Sequence, residues 1–90
     1  MSITIKKDLQ IPVVIQHTKT MCEVYIPDFS MTVHGTDYVD AIADATMKAS
    51  AVYYYNLERN LRLELKTTYT EAEAMCKAKG SFATFICLTT

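Results

Sequence analysis

Ninety residues, half of them hydrophobic and 21% charged, make one small domain able to bury roughly 60–65% of the surface its unfolded chain exposes, so the core is thin and association with another chain is a natural supplement. A formal net charge of -1 lacks the basic excess of a general nucleic-acid binder. Three cysteines, Cys22, Cys76 and Cys87, with an odd count and no C-x-x-C spacing, give neither a zinc site nor a disulfide framework and read as free thiols in a reducing compartment.

Residues 1–10 are expected to form an irregular N-terminal extension. Lys6, Lys7 and Asp8 stand where a secretory signal would be apolar, and no run approaches the roughly 18–20 apolar residues of a membrane span, so a cytoplasmic protein is expected. Residues 11–17 (IPVVIQH) are β-branched and apolar, with Pro12 near the start, and predict a central strand buried on both faces. Residues 21–26 alternate: Cys22, Val24 and Ile26 point one way, Glu23 and Tyr25 the other, as in a hairpin partner. Pro27 and Asp28 end that strand, and residues 31–34 resume a third.

Gly35 breaks the third strand, and Asp37, with Asp40 three residues on, is placed to cap a helix. Ala41, Ile42, Ala45, Ala49 and Val52 make its apolar stripe, with Asp40, Asp44 and Lys48 together on the solvated side. The pattern runs through Tyr53, Tyr54 and Tyr55 towards Asn60. Helical geometry splays these rings, so at least one belongs to the core and the three cannot form one stacking surface; one or two are expected at a protein interface, with core packing the commoner role. Leu61, Leu63 and Leu65 fit either a helix tail or an extended connector. Thr70 with Glu73 predicts the cap of a short second helix stopped by Gly80, and residues 82–89 (FATFICLT) predict a closing strand.

A single domain of the α+β kind follows, β-β-β-α-(short α)-β, with strand order 3-2-1-4. A right-handed crossover would lay the last strand parallel to the first, giving a mixed sheet. Both helices are expected on one face, leaving the other bare and apolar as a surface for homo-oligomer formation.

Charge is unevenly placed. Between Lys19 and Lys48 there is no Lys or Arg, while Glu23, Asp28, Asp37, Asp40 and Asp44 fall there. His17 and His34 lack partners at metal-ligand spacing, and Cys22 has no flanking cation or helix start to activate it.

The ordered cues Pro12, Tyr25, Pro27, Asp28, Gly35, Asp37, Asp40, Ala41 and Ala45, followed by a closing apolar strand, resemble the HicB-like antitoxin family over about residues 11–90. Two departures stand out. Phe29-Ser30-Met31 replaces the family's frequent Leu-Pro-Gly-Cys-like turn, and the sequence ends at Thr90, where many members continue into a DNA-binding module, so no direct DNA binding is expected. The resemblance implies a partial ribonuclease-H-like fold that blocks a small mRNA-cleaving toxin of the HicA type. The residues it implies for partner contact are Glu23, Tyr25, Asp28, Phe29, Asp40 and Asp44. The acidic zone would complement a basic toxin surface, or the same acids simply cap and solvate a helix. An enzyme of that fold needs carboxylates on the inner strands to hold two ions about 4 Å apart, and residues 11–17 and 82–89 contain no Asp or Glu. No catalysis, metal or cofactor is expected; the alternative to the antitoxin is an orphan, self-associating domain of the same fold.

Overall fold

Three strands open the chain, β1 (Leu9–His17), β2 (Cys22–Ile26) and β3 (Met31–Gly35), in a computed structural model that describes residues 9–61, 65–77 and 80–88. They pair antiparallel, with Ile15 opposite Val24 and Val24 opposite Val33. β1 starts at Leu9, so the last two residues of the expected N-terminal extension are strand, and residues 1–8 lie outside the described residues. Pro12 sits inside β1 rather than at its entrance. The β1–β2 ladder first registers at Val14 opposite Tyr25, so Pro12 interrupts no bond on that side. A single 3₁₀ turn, Pro27–Phe29, joins β2 to β3 and closes with Ser30 in the left-handed region at φ 50°.

Helix α1 (Tyr38–Glu58) begins as expected: the Asp37 side chain accepts the Asp40 N–H at 2.8 Å. Its small side chains let it lie on the sheet. Ala41, Ala45 and Ala49 are fully buried, and a Cβ on Gly35 would come within 2.5 Å of the Ala41 backbone nitrogen, so that position admits only glycine. Asn60, at φ 59°, ends the helix: its N–H bonds the Leu57 carbonyl and the Leu61 N–H bonds that of Asn56, a Schellman closure. Of the open leucines, Leu61 is exposed past the helix end and Leu65 packs on the core as part of a connector, while Leu63 lies outside the described residues. Tyr53 and Tyr54 pack against the core, their rings meeting edge to face with centroids 5.1 Å apart, and Tyr55 is exposed beneath Arg59.

Helix α2 (Tyr69–Ala74) is capped by Thr68 and Glu71, two residues earlier than the expected Thr70 and Glu73, and ends at Met75, well before Gly80. Strand β4 (Phe82–Leu88) then completes a sheet of order 3-2-1-4. The expected parallel return is wrong: β4 runs antiparallel to β1, with Ile11 opposite Ile86 and Val14 opposite Ala83. The crossover argument counted one return journey, but the connector and α2 make a second one, so the chain re-enters the sheet at the end where α1 began. The sheet is therefore entirely antiparallel.

The helices also take opposite faces. α1 covers Ile11, Val13, Ile15, Cys22, Val24, Ile26, Val33, Ile86 and Leu88, whereas α2 packs Ala72 on Val14 and Ala83, which point the other way. The expectation of one covered and one bare face fails because β1 and β4 carry apolar groups on both sides, and α2 is drawn to the second set. Full burial of each such aliphatic side chain is worth roughly 1.5–3 kcal/mol. The remaining half of the second face, over β2 and β3, shows Glu23, Tyr25, Thr32 and His34.

Candidate docking surface

The residues implied for partner contact fall into three groups. Asp28 and Phe29, in the 3₁₀ turn, serve the fold: one Asp28 oxygen accepts the Lys66 and Thr67 N–H groups at 3.0 and 2.9 Å, its other oxygen is buried without a partner, and Phe29 packs on the α1-side core. The carboxylate thus ties the connector to the β2–β3 turn. Pro27 starts that same turn.

Glu23 and Tyr25 lie on the α2 side of the sheet. Cross-strand register sets Glu23 opposite His34, and their side chains meet at 3.1 Å. The acid is therefore partnered, and His34 is explained without a metal. His17, the other histidine, is exposed, and its ring lies 6.5 Å from that of Phe82.

Asp40 and Asp44 stand on the outer side of α1. Asp40 does not bond back to the Asp37 N–H as a capping box would; it accepts the Thr36 N–H and, more weakly, the Thr36 hydroxyl, at 3.1 and 3.4 Å. Asp44 pairs with Lys48 at 3.0 Å across one helical turn. The acidic zone is accordingly split, with Asp40 and Asp44 outside α1 and Glu23 across the sheet.

Val39 and Met47, 73% and 63% exposed, were missed in the sequence. They share the outer side of α1 with Ala43, and Asp40, Ala43, Asp44 and Met47 line one shallow open depression. The i, i+4, i+8 spacing of Val39, Ala43 and Met47 is a second apolar row, legible once the buried row through Ala41, Ala45 and Ala49 is assigned to the sheet.

Cys22 is fully buried opposite Gly35. Burial, reinforced by the nearby Asp37 and Glu23 carboxylates, pushes its thiol up from the ordinary value, which disfavours the nucleophilic thiolate. Cys76 and Cys87 are also free. Among the described residues no three His, Cys, Asp or Glu side chains converge as a metal site requires, and no helix is long and apolar enough to cross a membrane. What the surface offers is an exposed apolar row, Val39, Ala43 and Met47, beside two carboxylates, Asp40 and Asp44. No family model, curated protein or solved structure matches the chain.

Proposed function

We propose that this protein is a non-catalytic, cytoplasmic binding module of the antitoxin kind, a HicB-like inhibitor that covers the basic RNA-gripping surface of a small ribonuclease. The observation that carries the reading is the outer side of α1, where Val39 and Met47 project into solvent beside Asp40 and Asp44. Exposed apolar groups that are rimmed by charge mark a protein-docking surface. Carboxylates there raise the association rate of a cationic partner and select against acidic ones.

The three-strand meander, the acid-capped Ala-rich helix and the sheet order 3-2-1-4 support the HicB-like reading. Within that reading the fold is a partial ribonuclease-H-like one, from which β4 departs by running antiparallel. Neither β1 nor β4 carries an Asp or Glu, so the inner strands have no ligands for the ion pair of a ribonuclease-H-type enzyme.

Co-expression with the product of the adjacent gene, followed by pull-down and an RNA-cleavage assay, tests the proposal. The expected result is a stable complex that leaves RNA intact. Failure to form a complex, or RNA cut as fast in its presence, contradicts the reading.

A further inference from the structure

We propose that the β4 edge is a self-association surface, pairing antiparallel with β4 of a second copy to make one continuous eight-stranded sheet about a two-fold axis. Among the described residues β4 has a single neighbour, β1, so its outer row of N–H and C=O groups has no ladder partner. Soluble proteins blunt such edges with charge, proline, bulges or shortness.

β4 has none of these devices. Its seven residues, FATFICL, include no charge, proline or glycine. The opposite edge, β3, is guarded: it has only five residues, carries the polar His34 in contact with Glu23 at 3.1 Å, and ends at Gly35 against the first turn of α1. Around β4 the surface stays apolar, with Phe82 40% exposed beside Tyr38 on the α1 side and Phe85 46% exposed against Tyr69 on the α2 side.

The chemistry of the edge selects a second copy as occupant. A strand that pairs with β4 along its whole length without burying a charge must itself be uncharged and equally long, which a second β4 is. Copies bearing a formal charge of only -1 repel one another little. The basic partner proposed above would instead meet α1, away from this edge, so the two surfaces can be tested separately.

One register pairs all seven residues: Phe82 with Leu88, Ala83 with Cys87, Thr84 with Ile86, and Phe85 with its own copy. Phe85 already stacks on Tyr69 at 5.2 Å, so the two-fold axis would join two such pairs into a four-ring cluster on the α2 side. Aromatic cross-strand pairs of this kind stabilise sheets, and an isologous contact closes at two copies without propagating.

The test is sedimentation of the full chain at micromolar concentration, alongside Phe85→Lys and a cysteine cross-linking pair. The expected result is a dimer whose dissociation constant rises about 30-fold or more in Phe85→Lys, the scale of a central hot spot. Phe85→Cys should form a disulfide-linked dimer under mild oxidation at a yield well above the natural chain, and Thr32→Cys on the β3 edge should not. The cross-link reads out even if Phe85→Lys does not fold. A monomeric natural chain, a dimer indifferent to Phe85→Lys, or cross-linking through Thr32→Cys in place of Phe85→Cys overturns the proposal.

Discussion

The two faces of the sheet are built on different scales. Among the described residues, twelve buried side chains form the α1-side core, against three, Val14, Ala72 and Ala83, beneath α2. The α1 side is a closed, continuous layer. The α2 side is a thin patch held at the β1–β4 half, with polar groups over the rest. Cohesion therefore rests on one face, while Val39 and Met47 on the outer side of α1 stay exposed and β4 has a single strand neighbour among the described residues.

The contrast breaks most sharply at the α1 contact. Gly35→Ala forces a methyl into the Ala41 backbone, and overpacking against main chain is expected to cost roughly 3 kcal/mol or more in denaturant titration. Ile15→Ala, a cavity in the larger core, is expected to cost about 4 kcal/mol. Val14→Ala, its neighbour pointing at α2, should cost only about 2 kcal/mol by the methylene value and cavity term together. Equal losses for Ile15→Ala and Val14→Ala would refute the asymmetry.

Asp28→Ala removes the acceptor for two backbone N–H groups and is expected to cost about 2 kcal/mol, with faster amide exchange at Lys66 and Thr67. Cys22 sharpens the comparison through pH. Its folded pKa is raised, so folded and unfolded chains both hold the thiol proton below the ordinary value of 9.0. Above that value the unfolded chain loses the proton first, and stability falls until pH passes the folded pKa. Relative to Cys22→Ala, the natural chain should lose stability as pH rises above about 9, and parallel pH curves would contradict the burial argument. The smallest effect belongs to Asp44→Ala, which removes an exposed pair with Lys48 and should change stability by no more than about 0.5 kcal/mol.

Local chemistry made much of the fold readable. Alternation in β2, the Pro27 stop and the Asp37 cap each act within a few residues, and the structure places them where the sequence does. The direction of β4 was not readable, because it depends on the route of the connector, and that route is pinned by Asp28 across 38 and 39 positions of sequence. The same tether explains the slip at α2. Thr68 and Thr70 both have a Glu three residues on, and with Lys66 and Thr67 held by Asp28, Thr68 is the next residue able to cap. Of the docking surface, the acids Asp40 and Asp44 were legible as a helix face, but Val39 and Met47 were not, since one apolar row had already been assigned to α1.

The most direct test of the account is a binding titration of the adjacently encoded protein against the natural chain and Met47→Glu. Met47 is exposed, so the variant should keep the natural melting temperature while its affinity falls by about 30-fold or more. Unchanged affinity in a folded Met47→Glu chain would contradict the placement of recognition on the outer side of α1.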